Sequence, residues 1–244
     1  MIFGLRQFVG RLLAPKPQPI VTINSQKGQD YWVINDIFKG KTGGYFLEMG
    51  AADGVYLSNS MVLERDYGWQ GLCIEPNPTF FAKLQANRKC ICRNLCIDDQ
   101  RGEVDFVLAA EYGGIVSDDT DNNSQMRAES LQQARDQGQV VTLPTMPLAD
   151  VLREVGAPKV IDYFSLDVEG AEERVLRHFP FDEFTFLTMS IERPTPLLNE
   201  ILLSKYGYIF VKNVRSDTFY IHKSIENFAQ IKRQEFQQTG PKAA

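Results

Sequence analysis

The sequence predicts an α/β fold: a mostly parallel sheet with helices on both faces and a closing antiparallel strand. Three observations predict it. Strand-like and helix-like stretches alternate from Tyr45 onwards, the pattern of parallel strands joined by crossover helices. The apolar run Tyr45 to Met49 ends in Gly50, and the next strand, Gly71 to Glu75, ends in an acid. Near the C-terminus, Tyr208 to Val211 and Thr218 to His222 read as a hairpin that closes the sheet.

The elements follow in order. Asn59 to Tyr67 reads as a helix, with Met61, Val62 and Leu63 and then Tyr67 as its apolar residues. Pro78 to Asn87 is a helix with proline in its first turn, where a missing N–H costs nothing, and Phe80, Phe81 and Leu84 face inward. Cys90 to Ile97 is expected as a third strand and Val104 to Ala109 as an added hairpin arm. Residues 110–139 form a polar insertion, with an exposed helix expected over Ser124 to Arg135; a lid and a solvated excursion are both open readings of it. Val140 to Pro144 is a strand, Leu148 to Val155 a helix, and Val160 to Asp167 a buried strand followed by a helix from Ala171 to His178. Phe184 to Ile191 is the next strand, with Glu192 at its end, and Leu197 to Tyr206 the last helix.

Residues 25–223 thus make one domain. Residues 1–24 precede it as an amphipathic segment and a linker with Pro15, Pro17 and Pro19. Residues 224–244 are a tail with apolar residues, available to dock as a helix or to join two copies in a homo-oligomer. Ile2, Leu5, Val9, Leu12 and Leu13 recur at helical spacing, interrupted by Arg6 and Arg11. That pattern suits either a helix lying on the protein's own surface or peripheral contact with a membrane through residues 1–13, and it lacks the unbroken apolar core of a signal peptide.

Composition narrows the functional classes. The 244 residues carry 26 basic and 31 acidic side chains, a net charge of −5. No basic stripe points to nucleic acid, and no apolar run approaches a membrane span. The four cysteines, Cys73, Cys90, Cys92 and Cys96, are too clustered for a secreted disulfide framework, and with two histidines no zinc set completes. A cytoplasmic enzyme is expected.

The block from Phe46 to Gly54 carries the chemistry. A strand runs into a glycine turn, where Gly50 and Gly54 let backbone approach a ligand at the carboxyl end of a Rossmann-like sheet. Glu75, at the end of the next strand, suits the hydroxyls of an adenosine ribose. A dinucleotide site reads Gly-x-Gly-x-x-Gly, its middle glycine making room for pyrophosphate. Here Glu48 would repel pyrophosphate and attract an amino group or a sulfonium. S-adenosylmethionine is therefore favoured over a nicotinamide dinucleotide, whose oxidoreductases are the alternative enzyme class; a non-catalytic cofactor-binding or scaffold protein of the same fold is the alternative outside enzymes. Tyr208 and Lys212 mimic a dehydrogenase pair, but four residues along a strand separate them by about 13 Å.

The chain resembles the FkbM-type methyltransferases. The resemblance rests on Ser25, Gln26, Gly28, Gln29 and Asp30; on the run from Leu47 to Gly54; on Ser58 to Ser60, Leu63 and Glu64; on Gly68, Trp69, Gly71 and the run Ile74 to Pro78; and on Ser165 to Glu172 with Val175 and Leu176. It implies a class I, Rossmann-like methyltransferase fold and O-methylation of a sugar or natural-product hydroxyl by S-adenosylmethionine, so the expected partner is a small-molecule or glycan acceptor. By the resemblance, Glu48, Gly50 and Ala51 border the methionine part of the cofactor, Glu75 and Pro76 the ribose, and Ile97 and Asp98 the adenine. Gln26, Asp30, Ser58 and Asn59 are candidates around the cofactor's carboxylate and amino group, although cap and turn roles suit them equally. Many members carry asparagine where this chain has Ala52, and Asp53 is the candidate substitute. Asp167, Glu169 and Glu192 face the transferable methyl group in this reading. Asp167 is then a general base or a substrate clamp, and it also borders the cofactor. Glu169 and Glu172 suit a helix N-terminus as well. A divalent metal held by Asp167, Glu169 or Glu192 is neither required nor excluded.

Overall fold

The computed structural model describes residues 23–108, 113–117 and 132–225. The amphipathic segment and linker up to residue 22, most of the polar insertion and the tail beyond residue 225 lie outside the described residues.

The main sheet has seven strands: β1 (Tyr45–Met49), β2 (Gln70–Ile74), β3 (Ile91–Arg93), β8 (Val160–Leu166), β9 (Thr185–Glu192), β10 (Tyr208–Val214) and β11 (Asp217–His222), in the order β10-β11-β9-β8-β1-β2-β3. From β9 to β3 all neighbours are parallel, and β11 runs antiparallel to both β9 and β10. Chain order reverses at β1, which has β8 on one side and β2 on the other. In open α/β sheets that switch point opens the crevice where ligands bind.

The pleat explains why both faces are covered. Leu47, Leu72 and Phe164 point to one face and Phe46, Cys73 and Tyr163 to the other, all fully buried. The first face packs on α4 (Leu148–Glu154), α5 (Glu172–Leu176) and α6 (Pro196–Lys205) through Leu152, Leu176 and Leu202. The second packs on α1 (Gln29–Tyr31) with its wide π-helical continuation Trp32–Ile37, on α2 (Met61–Tyr67) and on α3 (Pro78–Asn87), through Trp32, Ile34, Leu63 and Leu84. Burial of side chains this size stabilises the fold by roughly 2 kcal/mol each.

Local chemistry sets the element ends. Asn77 caps α3, its side-chain oxygen accepting from the Thr79 amide at 2.9 Å, with Pro78 in the first turn. Gly68 ends α2 in the left-handed conformation. Helix α2 starts two residues later than the sequence suggests, because Asn59 and Ser60 turn their polar groups to Glu48 instead. Within α3 Leu84 is fully buried, Phe81 is partly buried against the same core, and Phe80 lines the cavity described below.

The larger correction concerns Cys90 to Ile97. It is two strands, not one. After β3 the chain leaves the main sheet at Asn94, whose side-chain amide donates to the carbonyls of Glu75 and Pro76 at 2.8 and 2.7 Å. It then enters a second sheet through β4 (Cys96–Ile97), so Cys92 and Cys96 do not share a strand face. That sheet, ordered β4-β7-β5-β6, adds β5 (Gly102–Val107), β6 (Gly114–Ile115) and β7 (Val140–Met146). The expected hairpin arm is therefore β5, paired antiparallel with both β6 and β7. Of the expected insertion helix, residues 132–136 are described and helical.

Candidate active site

A cavity of about 400 Å³ opens at the carboxyl ends of β1, β2 and β8, and the second sheet forms its far wall. Its size is that of a pocket for a drug-sized ligand. Gly50 makes the floor. Its backbone is left-handed at φ 73°, and a Cβ there would lie 1.9 Å from the carbonyl oxygen of Asp167. The Gly50 amide donates to Ile74 and the Asp167 amide to Met49, so β1, β2 and β8 are stitched together to their last residue.

Glu75 stands at the cavity edge, 6% exposed. One carboxyl oxygen accepts from the Ala52 amide and the other from the Asn77 amide, both at 2.8 Å. Burial pushes its carboxyl up to about 7, against these two hydrogen bonds. Each oxygen keeps acceptor capacity for a second donor. Pro76 lines the cavity beside it.

Glu48 has a different setting. It lines the cavity, yet its carboxylate accepts from Ser58 Oγ at 2.9 Å, the Asn59 amide at 2.6 Å and Ser60 Oγ at 2.5 Å. Arg88 Nη1 approaches it at 3.4 Å, and the Arg88 side chain is wholly buried. Arg88 also pairs with Glu64 and donates to the Gly54 carbonyl at 3.1 Å. Glu48 is thus the anchor of the loop between β1 and α2, its charge balanced within the protein. Asn59 donates from Nδ2 to Ser165 Oγ at 2.8 Å, while its buried Oδ1 has no partner and the residue lines the cavity. A buried acceptor left unmatched is costly, and a ligand N–H would satisfy it.

Asp167, Glu169 and Glu192 come together at the other side of the cavity. They are half-buried and offer oxygens within 4.8 Å of one another. Burial raises the Asp167 carboxyl well above the usual range, and the Glu192 charge adds to it. Glu192 moves down: burial opposes its charge, but the hydrogen bond from Asp167 and the cations Arg193 and Lys27 outweigh it. The two carboxyls are linked, and Asp167 keeps its proton to higher pH than Glu192 does. Arg193 lies 2.9 Å from Glu169 and 3.0 Å from Glu192, and Lys27 lies 3.7 Å from Glu192. The three oxygens are spaced to grip a divalent cation, yet Arg193 already pairs with two of these carboxylates, and Lys27, whose nearer partner is Asp217 at 2.6 Å, approaches Glu192. Glu172 faces away from this work: it accepts from the Val168 and Gly170 amides, and burial raises it to about 7.

The opposite wall is apolar. Ile97 of β4 faces the cavity, with Leu95, Phe106 of β5, Ile115 of β6 and Phe80 of α3. These surfaces suit a flat heteroaromatic ring.

The sequence places Gln26, Glu48, Gly50, Ala51, Ser58, Asn59, Glu75, Pro76, Ile97, Asp167, Glu169 and Glu192 at the site, and all of them line the cavity. Three further candidates do not line it, for a physical reason in each case. Asp30 is fully buried and accepts from Ser25 Oγ and the Asn24 amide, tying down the segment before α1. Asp53 accepts from the Val55 and Tyr56 amides inside its own turn. Asp98 is clamped by Arg174, which reaches its two oxygens at 3.1 and 2.5 Å. Sequence reasoning missed Phe106 and Ile115, because nothing local signals that β5 and β6 border the cavity. It also missed Arg88 and Lys27, whose buried pairing was concealed in ordinary surface residue types.

The family profile described as "Methyltransferase FkbM domain" matches residues 48–210. No curated protein sequence matches the chain. Among solved structures, "Human methyltransferase 10 domain containing protein" is 12% identical, with a TM-score of 0.40, covering 79% of this chain and 78% of that one. The "delta-N METTL16 MTase domain" is 12% identical, with a TM-score of 0.41, covering 82% and 81%. At that level neither adds to what the strand order says.

Proposed function

Because the chain belongs to the FkbM methyltransferase family, we propose that it transfers a methyl group from S-adenosylmethionine to a hydroxyl of a sugar or natural product. Membership sets aside the nicotinamide oxidoreductase. The observation that carries the cofactor assignment is Glu75: an acid at the carboxyl end of the strand after the glycine turn, with a free acceptor site on each oxygen. Ribose hydroxyls donate to it in this reading. The apolar wall of Ile97, Phe106 and Ile115 takes the adenine. The unmatched Asn59 Oδ1 accepts from the α-amino group. The residues present fit the cofactor.

Bound S-adenosylmethionine supplies an electrophilic methyl carbon on a sulfonium, open to in-line attack by an oxygen. The chain's own part is position and proton transfer. Gly50 keeps the floor low, so that the reacting centre sits beside Asp167. The acceptor hydroxyl hydrogen-bonds to the carboxyl pair and gives up its proton to it as the new bond forms. Glu192 is the ionised member, held by Lys27 and Arg193, and Asp167 orients it by donating its own proton. Gln26 and Glu169 at the cavity edge offer further partners for a polyhydroxyl acceptor.

The test is a methyl-transfer assay over a panel of sugar and natural-product alcohols, with Asp167→Ala and Glu192→Gln in parallel. The reading expects product with at least one alcohol and large losses in both variants, with cofactor affinity kept. Product forming equally well in both variants would remove the carboxyl pair from the chemistry.

A further inference from the structure

Half of the large apolar side chains that are exposed among the described residues fall on two chain segments joined through Asn24. Ile23, Tyr31, Val55, Tyr56 and Leu57 are 52, 40, 37, 62 and 37% exposed, whereas the other five are spread over β3, β8, α6 and β10. Asn24 draws the group together. Its side-chain amide donates to the carbonyls of Val55 and Ser58 at 2.8 and 3.1 Å, and its backbone amide to Asp30, next to Tyr31, at 2.8 Å. Tyr56 and Leu57 also line the cavity. The patch is therefore the rim of the methyl-transfer site. The rim loop is built to present side chains: Asp53 takes up the Val55 and Tyr56 amides, and Leu57 is held at a left-handed φ of 56°.

An exposed apolar patch of this kind marks a surface that meets something. Charge selects what. The rim includes the first described residue, Ile23, so residues 1–22 join the domain there. Up to residue 22 the chain carries Arg6, Arg11 and Lys16 and no acid, although the whole protein has a net charge of −5. Apolar residues interleave with these basic ones, among them Ile2, Leu5, Val9 and Leu12. Apolar and basic side chains without acids are what a bilayer surface containing anionic lipid attracts. We propose that the rim formed by Ile23, Tyr31 and Val55–Leu57 docks the mouth of the cavity on an anionic lipid surface, which presents the acceptor hydroxyl to the site. The lipid-borne acceptor rests on the methyl-transfer reading; the docking does not.

The experiment is co-sedimentation of the full chain with vesicles of phosphatidylcholine alone and of phosphatidylcholine mixed with phosphatidylglycerol, at low and raised salt. The proposal expects binding to the mixed vesicles, weakened by salt. It expects a roughly tenfold weaker partition for the double variant Ile23→Ser/Val55→Ser. Both changes are at exposed positions, and the melting temperature of the variant reports its folding. Arg6→Gln with Arg11→Gln should erase the preference for phosphatidylglycerol. No binding to mixed vesicles, or equal binding by the double variant, overturns the proposal. So does a soluble dimer that Ile23→Ser dissolves in a protein that ignores vesicles, since the patch is then a contact between copies. S-adenosylmethionine titration of the same samples separates the two readings: cofactor binding without vesicle binding sinks the docking alone.

Discussion

Gly50 and Asp167 meet backbone to backbone at the ends of β1 and β8, so closely that a Cβ on Gly50 would stand 1.9 Å from the Asp167 carbonyl oxygen. No side-chain rotation relieves a clash with backbone, and the left-handed φ of 73° adds strain for any other residue. Gly50→Ala is expected to lower stability by about 3 kcal/mol or to give insoluble protein. Urea unfolding measures it, and a variant as stable as the parent would mean that the two strands do not approach in this way.

Glu75 couples binding to pH. A carboxyl raised from 4.5 to about 7 destabilises the folded state when ionised. Its contribution is favourable below about pH 4.5 and is lost as pH rises through 7, a swing of about 3 kcal/mol. Glu172, raised to about 7 by burial, acts in the same sense. The ligand-free protein is therefore expected to melt at higher temperature near pH 6 than near pH 8, and Glu75→Gln should flatten that slope. Hydroxyls donating to the ionised form reverse the sign for binding: S-adenosylmethionine affinity should rise roughly tenfold from pH 6 to pH 8 with release of a proton. Calorimetry in two buffers of different ionisation enthalpy reads that proton directly.

Glu48 is predicted to matter chiefly for stability. Its removal leaves the wholly buried Arg88 with Glu64 as its remaining ion-pair partner and frees three donors from residues 58–60. Breaking a buried pair costs about 3 kcal/mol. Glu48→Ala should unfold at correspondingly lower urea. If it instead lost cofactor affinity at unchanged stability, Glu48 would be a direct cofactor contact, as the sequence alone suggests.

The carboxyl pair gives a kinetic prediction. Asp167→Ala removes the donor that orients Glu192, and Glu192→Gln removes the ionised member. Each is expected to lower kcat by about a hundredfold or more, in the range of a lost general base, with cofactor affinity within a few-fold of the parent. Steady-state kinetics on the best acceptor from the panel decides it.

The centre of the main sheet was legible because β1, β2 and β8 are apolar runs, each with a local end signal: Gly50, Glu75 and Asp167. Their register then follows from one buried pleat. The second sheet was not legible in the same way. β4 is two residues long and pairs with β7 across 49 positions of sequence, and the run from Cys90 to Ile97 hides the switch at Asn94. The cavity floor was readable from Gly50 and Glu75, whereas the apolar wall of Phe106 and Ile115 depends on that switch. Polar candidates were the least legible. Asp30, Asp53 and Asp98 carry the right chemistry for a ligand, but a nearby amide, hydroxyl or guanidinium claims each one. No helix among the described residues is long and apolar enough to cross a membrane.

The most direct test of the central claim is calorimetric titration of the purified chain with S-adenosylmethionine and S-adenosylhomocysteine, beside Glu75→Ala. The account predicts micromolar binding of both ligands to the parent and at least about tenfold weaker binding to the variant, a loss of about 1.4 kcal/mol or more. Absence of binding to the parent, or equal binding to both proteins, would contradict it.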